Sequence, residues 1–99
     1  MPPTAAADRV RARNLLLMGQ PSLWPNWPFL PLVRRLPGQE EEYGLLYDAL
    51  HVSGKTGYSS AVLLCNLFNV PSDETAFLAL PRETFDSPEE VYGAAWRVD

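Results

Sequence analysis

The chain has 99 residues, of which 46% are apolar, and its eight Lys and Arg against twelve Asp and Glu give a formal charge of −4. This length allows one domain with one modest core, which we expect to span residues 1–99 with residues 1–4 as a flexible terminus. The charged fraction of 20% and the aromatic fraction of 11% exclude an intrinsically disordered chain.

The apolar pattern and the cysteine count exclude two further classes of protein. No apolar run approaches the roughly 18 residues that a membrane span requires, so no membrane partner is expected. The run Leu15–Met18, which follows three arginines, is also too short for the core of a secretory signal. The single cysteine, Cys65, cannot form an internal disulfide and is predicted to be a small buried hydrophobe. A cytoplasmic location is therefore expected.

Charge is distributed unevenly along the chain. Residues 1–38 carry five arginines and one aspartate, whereas residues 39–99 carry three basic and eleven acidic residues. This asymmetry would suit an anionic partner or head-to-tail self-association, and it would equally result from the two parts folding against each other. Because the arginines form no compact run, nucleic acid is not expected as the main ligand.

The first predicted element is an α-helix over residues 5–18, a stretch that contains neither Pro nor Gly. Gly19 and Pro21 follow in the order that is typical of a helix end. One face of this helix carries Val10, Asn14, Leu17 and Met18. Because this stripe is short, we expect the helix to dock at an edge of the core.

The next segment, residues 24–32, has proline at every third position, namely Pro25, Pro28 and Pro31. Proline disfavours helix at the residue before it, so an extended or polyproline II path is predicted. With three residues per turn, one edge of that path carries Trp24, Trp27 and Leu30, and another carries Asn26, Phe29 and Leu32.

Two interpretations of this Trp/Pro-rich segment remain open. Its aromatic side chains can cover the sheet, which we favour because contiguous exposed aromatics promote aggregation. Alternatively, the segment is displayed to a proline-reading partner. In an intermediate arrangement one aromatic edge is buried and another binds a partner or a second copy.

Three strands are predicted, over residues 30–36, 42–50 and 60–70. Pro37 and Gly38 suit the two central positions of a type II turn between the first two strands. The third stretch also fits a helix, so its conformation stays open between strand and helix. Its apolar helical face would consist of Leu63, Leu64, Leu67 and Phe68. Since Pro31 lies in the first strand, that strand is predicted to be at an edge of the sheet.

Two short helices are predicted in the C-terminal third. Residues 72–74 supply a cap and a first-turn acid for one helix, and Pro81 ends it within about two turns. Ser87 caps the other, with Pro88 at the first helical position. Its apolar i, i+4 pairs are Val91/Ala95 and Tyr92/Trp96. The predicted fold class is α+β, a small antiparallel sheet of about three strands with an N-terminal helix and short C-terminal helices packed against it.

Residues 49–56 match the permissive phosphate-loop pattern, in which a small residue and four others precede Gly-Lys-Thr. In such a loop the backbone amides bind the phosphates and Lys55 would reach the outer ones. Against this, Ala49 replaces the usual first glycine, and Gly57 and the β-compatible sequence from Tyr58 onward favour the tip of a hairpin. Nucleotide binding is therefore kept only as the alternative function.

Catalytic chemistry finds little support in the sequence. Asp48, His51 and Ser53 or Ser59 supply the residue types of a hydrolytic triad, but neighbours at the end of one strand seldom converge on one point. With one histidine and one cysteine, an ordinary zinc site is excluded. We predict no catalytic residue, no metal and no cofactor.

The expected function is that of a non-catalytic binding or interaction domain. It would use residues 24–32 and the loop over residues 51–58 to bind a protein partner or a second copy of itself. The predicted binding residues are Trp24, Trp27, Phe29, Asp48, His51, Lys55 and Tyr58. The alternative is a small nucleotide-binding protein or enzyme that uses residues 49–56.

Overall fold

The structure is a computed structural model that describes residues 4–48 and 60–99. In these residues a five-stranded antiparallel sheet carries one long and two short α-helices. The predicted α+β class is confirmed. The expectation of about three strands is wrong, because residues 82–85 and 96–98 add one strand at each edge of the sheet.

The elements follow one another as α1 (Thr4–Gly19), β1 (Phe29–Arg34), β2 (Glu42–Tyr47), β3 (Ser60–Leu63), α2 (Glu74–Leu78), β4 (Arg82–Phe85), α3 (Pro88–Gly93) and β5 (Trp96–Val98). Short 3₁₀ turns lie at Pro21–Leu23 and Leu67–Asn69. The spatial order of the strands is β4-β3-β2-β1-β5, and every neighbouring pair is antiparallel.

The sheet has two faces, because successive side chains of a strand point to opposite sides. The helical face, against which α1 and α3 pack, carries the main core. This core consists of Met18, Trp24, Leu30, Leu32, Leu46, Val62, Val91 and Trp96. The other face, which we call the aromatic face, carries Phe29, Tyr43, Leu45, Tyr47 and Leu63. Phe77 of α2 covers part of it, with its ring centroid 5.4 Å from that of Tyr47.

The predicted helix is confirmed as α1, and it docks through its C-terminal half. Residues 6–13 are exposed, whereas Asn14 and Met18 are buried. Asn14 Oδ1 accepts the backbone N–H of Val98 at 2.6 Å. This N–H points away from β1, so the asparagine provides a partner for a donor at the open edge of the sheet.

The predicted edge position of β1 is wrong, because β2 pairs with one side of it and β5 with the other. Pro31 is tolerated in this interior strand because the β5 pairing ends beside it. Its carbonyl accepts the N–H of Asp99 at 3.1 Å. Proline has no N–H to donate to Asp99 in return, and its ring occupies that position.

The third predicted strand is much shorter than residues 60–70. Strand β3 ends at Leu63, and the chain then leaves the sheet. The side chain of Asn66 accepts the N–H of Phe68 at 3.0 Å and caps the 3₁₀ turn at Leu67–Asn69. The strand interpretation is therefore correct for residues 60–63. The only helical residues in the rest of this stretch are those of the 3₁₀ turn at residues 67–69.

The two C-terminal helices begin where the sequence predicts. The side chain of Asp73 accepts the N–H of Ala76 at 3.0 Å, and Ser87 Oγ accepts the N–H of Glu90 at 3.3 Å. The expected pairing of Tyr92 with Trp96 on one helix is wrong, because α3 ends at Gly93 and Trp96 begins β5.

The predicted type II turn between β1 and β2 is confirmed. Gly38 has a φ of +75°, and the N–H of Gln39 donates to the carbonyl of Leu36 at 3.1 Å. The strands that it joins pair with Leu30 opposite Leu46. This register brings the end of β2 beside the residues that precede β1.

Candidate functional site

The Trp/Pro-rich segment follows the predicted extended path over residues 29–32, which belong to β1, but not over residues 25–28. Residues 25–28 form a turn in which the N–H of Trp27 donates to the carbonyl of Trp24 at 3.3 Å. The N–H of Phe29 donates to the carbonyl of Asn26 at 2.9 Å, and the Trp27–Pro28 peptide bond is cis. Polyproline II is wrong here because the few N–H groups between the prolines find partners within the turn, which that helix cannot offer.

The turn places the three aromatic side chains of the segment in three environments. Trp24 is buried in the core, where its Nε1–H donates to the carbonyl of Leu17 at 2.6 Å. Trp27 is 49% exposed. Phe29 lies on the aromatic face, where its ring packs at 5.5 Å from that of Tyr47. Within four residues the chain therefore has one buried tryptophan, Trp24, and one half-exposed tryptophan, Trp27.

Trp24 and Trp27 flank a surface cavity of about 330 Å³ near the end of β2. We call it the Trp27 pocket. It is lined by Pro21, Ser22, Trp24, Trp27 and Asp48. The 3₁₀ turn supplies its first two residues, and the antiparallel pairing of β1 with β2 brings in Asp48 from 21 residues beyond Trp27. Three of the seven predicted binding residues thus share one cavity.

Asp48 fixes the orientation of Trp27. Its carboxylate accepts the indole Nε1–H of Trp27 at 2.8 Å, and its own backbone N–H donates to the carbonyl of Pro28 at 3.0 Å. Asp48 is only 7% exposed. The indole is therefore held from its polar edge, and its apolar surface is the part that faces solvent.

Of the other predicted binding residues only Phe29 is described, and it does not line the Trp27 pocket. Phe29 lies on the opposite face of the sheet, and His51, Lys55 and Tyr58 lie outside the described residues. The phosphate-loop segment 49–56 also lies outside them.

The strands that flank the phosphate-loop segment are described, and they pair with each other antiparallel, Tyr47 opposite Ala61. A phosphate loop requires a helix directly after its last residue, here Thr56. Strand β3 begins at Ser60, four residues beyond Thr56 in the chain.

A second cavity, on the aromatic face, was not predicted. It has a volume of about 320 Å³, and we call it the Phe68 groove. Its lining consists of Pro31, Leu32, Tyr43, Gly44, Leu45, Asn66, Leu67, Phe68 and Asp99. Phe68 is 95% exposed, although the apolar pattern of residues 60–70 predicts burial. The signal that could have indicated this position is Asn66, which caps the turn and directs the chain away from the sheet.

In the described residues a polar network surrounds Arg34 on the helical face. Its guanidinium donates to both carboxylate oxygens of Glu42 and of Glu83, at 3.0–3.1 Å. It also lies 4.2 Å from the ring centroid of Trp96, whose Nε1–H donates to Glu83 at 3.1 Å. These bonds, the one to Glu42 most strongly, raise the pKa of Arg34, and the bond from Arg34 lowers the pKa of Glu83. The side chain of Arg34 is 12% exposed, so we assign the network a structural role.

The lone cysteine and the acidic residues offer no further site. Cys65 is half-buried, where full burial was expected, and its desolvation raises the pKa of the thiol. Within residues 4–48 and 60–99, no three His, Cys, Asp or Glu side chains lie close enough to hold a metal ion. No helix in that part of the chain has the length and apolar character needed to cross a membrane.

Comparison of the chain with protein-family models, with curated proteins and with solved structures gives no match.

Proposed function

We propose that the protein is a non-catalytic binding domain that recognises a protein partner through the Trp27 pocket. The observation that carries this proposal is the state of Trp27, which is 49% exposed while its indole N–H is bonded to a buried carboxylate. A large aromatic ring held at the surface in one orientation is the kind of residue that dominates protein interfaces.

The hydrogen bond from Trp27 to Asp48 favours binding in two ways. The indole N–H already has its partner, so covering the ring with an apolar surface leaves no donor unsatisfied. The bond also restricts the side-chain torsions before the partner arrives, which reduces the conformational entropy lost on association.

The lining of the Trp27 pocket indicates the chemistry of the partner. Pro21, Trp24 and Trp27 provide apolar walls, and Ser22 and Asp48 add one hydroxyl and one carboxylate. A cavity of about 330 Å³ accommodates one or two apolar side chains of an extended segment. The partner we propose is therefore a peptide segment with a bulky apolar or proline residue.

Residues 51–58 follow Asp48 closely in the chain, and we include them in the proposed surface. His51, Lys55 and Tyr58 would then add polar contacts around the apolar centre, as in the rim of an ordinary interface. We place this activity in the cytoplasm, since the lone cysteine suits a reducing compartment.

Selection from a displayed library of random peptides tests the proposal. Peptides selected on the wild-type protein are synthesised and titrated against Trp27→Ala and Leu23→Ala. Leu23 is a matched control, because it is 50% exposed on the adjoining 3₁₀ turn and does not line the pocket. We expect Trp27→Ala to weaken binding at least tenfold, about 1.4 kcal/mol, and Leu23→Ala to leave it unchanged.

Two outcomes contradict the proposal. One is a set of selected peptides that bind Trp27→Ala as tightly as the wild type. The other is a library from which no peptide with a bulky apolar or proline residue can be enriched on the folded protein.

A further inference from the structure

Phe68 is exposed to a degree that is unusual for a large aromatic side chain. It is 95% exposed at the rim of the Phe68 groove, whose walls include the apolar side chains of Pro31, Leu45 and Leu67. Tyr43, at another wall of the same groove, is 49% exposed. An apolar surface of this kind marks a site of interaction.

The position of Phe68 is set by its turn. Its backbone N–H donates to Asn66 Oδ1 at 3.0 Å, and the N–H of Asn69 donates to the carbonyl of Asn66 at 3.0 Å. These two bonds hold the 3₁₀ turn, so the ring is presented on an ordered backbone.

We infer that two copies of this chain associate through the aromatic face, each inserting Phe68 into the Phe68 groove of the other. The projecting side chain and the cavity are neighbours on one molecule. A two-fold axis between them therefore lets each Phe68 fill the groove of the other copy, and the assembly closes as a dimer. A contact that was not reciprocal would instead produce rings or open chains of molecules.

Charge on the groove is compatible with a second copy as the occupant. In a two-fold dimer each charged residue near the axis approaches its own like-charged equivalent. Among the described residues that line the groove, Asp99 is the one charged side chain, so the repulsion between the copies at these residues is small. Apolar burial is then the main driving force.

The area involved indicates a weak dimer. An aromatic side chain buries roughly 150–250 Å². On that scale two Phe68 rings and two half-exposed Tyr43 rings contribute roughly 450–750 Å². With the other groove walls the interface stays below about 1,200 Å², in the range of weak and transient associations. We therefore expect a dimer whose population rises with concentration.

This interface is separate from the Trp27 pocket. Trp24, which lines that pocket, belongs to the core of the helical face, whereas Tyr43 and Leu45 lie on the aromatic face. Loss of dimerisation and loss of peptide binding can therefore be observed independently.

Sedimentation equilibrium from about ten micromolar to about one millimolar tests the inference. We expect the mass of the wild type to rise from 11.1 kDa toward twice that value. Phe68→Ser should remain monomeric over the whole range, and its melting temperature should not fall, because the ring it lacks is exposed. Leu78→Ser is the control, since Leu78 is 63% exposed and does not line the groove, and it should dimerise like the wild type.

A photo-crosslinking amino acid at position 68 identifies the contact directly. In a mixture of ¹⁵N-labelled and unlabelled copies, we expect crosslinks between the two isotopic forms that map to residues 43–45. A wild type that stays monomeric at one millimolar overturns the inference and leaves the groove to a different protein or a small apolar ligand. A Phe68→Ser variant that dimerises as tightly as the wild type, or growth beyond dimers, also overturns it.

Discussion

A single arginine contacts side chains of three other strands. Arg34 on β1 binds Glu42 on β2 and Glu83 on β4, and it packs on Trp96. Glu42 lies directly opposite Arg34 on the neighbouring strand, whereas Glu83 lies on β4 at one edge of the sheet.

The pH dependence of stability should depend on Glu83. Its pKa is lowered in the folded protein, chiefly by the hydrogen bonds from Arg34 and against the effect of burial. A lowered carboxyl pKa contributes stability that is present above the unfolded-chain pKa, about 4.3, and is lost as the pH falls through the folded value. We expect Glu83→Gln to cost about 1–2 kcal/mol at pH 7, measured by urea unfolding.

The difference between Glu83→Gln and the wild type should narrow progressively below about pH 4. Glu41→Gln is the matched control, because Glu41 pairs with Arg35 at 2.9 Å but both side chains are well exposed. An exposed pair contributes little, so its loss should change stability by less than about 0.5 kcal/mol. Equal effects of the two substitutions would contradict the structural role of the Arg34 network.

The packing of strand β2 against the core requires that position 44 has no side chain. A Cβ on Gly44 would lie 2.7 Å from Val62 Cγ1 and 3.0 Å from Trp96 Cη2. Both contacts are with side chains that are fully buried, so neither can move away without disturbing the core. The glycine therefore allows the indole of Trp96 to lie against β2.

Gly44→Ala should destabilise the protein by about 1–3 kcal/mol, the usual cost of overfilling a packed core. Gly93→Ala is the comparison, since a Cβ there would meet nothing within 4 Å, and it should change stability by less than about 0.5 kcal/mol. Both are measured as the urea midpoint of unfolding. Equal stability of Gly44→Ala and the wild type would show that Trp96 does not pack as described.

The elements that local sequence determines were predictable, and those that depend on distant pairing were not. The caps at Asp73 and Ser87 and the turn at Gly38 satisfy backbone groups within a few residues. By contrast, β4 and β5 have four and three residues and exist only through their pairing with β3 and β1. No periodic pattern can develop over so few positions.

The candidate site shows the same limit in finer detail. The sequence identified Trp24 and Trp27 as candidate binding residues. That they share a cavity with Asp48 depends on the register of β1 and β2. The turn alone would pair Arg34 with Glu41, whereas Arg34 faces Glu42. This shift by one residue decides which face every side chain of β2 occupies, and it is not encoded in the turn residues. Phe68 was missed for a related reason, since its exposure depends on where β3 ends.

In the folded molecule, ion pairs between the two parts of the chain neutralise some of the uneven charge along the sequence. Arg34 and Arg35 of the basic first part pair with Glu42, Glu83 and Glu41 of the acidic second part. The two parts thus fold against each other at these positions. The two binding surfaces that we propose, the Trp27 pocket and the Phe68 groove, do not include these ion pairs.

The central claim is that Trp27 alone of the three tryptophans is presented to a partner. Trp24 and Trp96 are 6% and 0% exposed, against 49% for Trp27. In wild-type protein labelled with 5-fluorotryptophan, each ¹⁹F signal can be assigned by a single Trp→Phe substitution. A soluble gadolinium chelate should strongly broaden the signal of Trp27 and leave the other two sharp, and a selected peptide should protect it. A Trp27 signal as well shielded as those of Trp24 and Trp96 in the free protein would contradict the account.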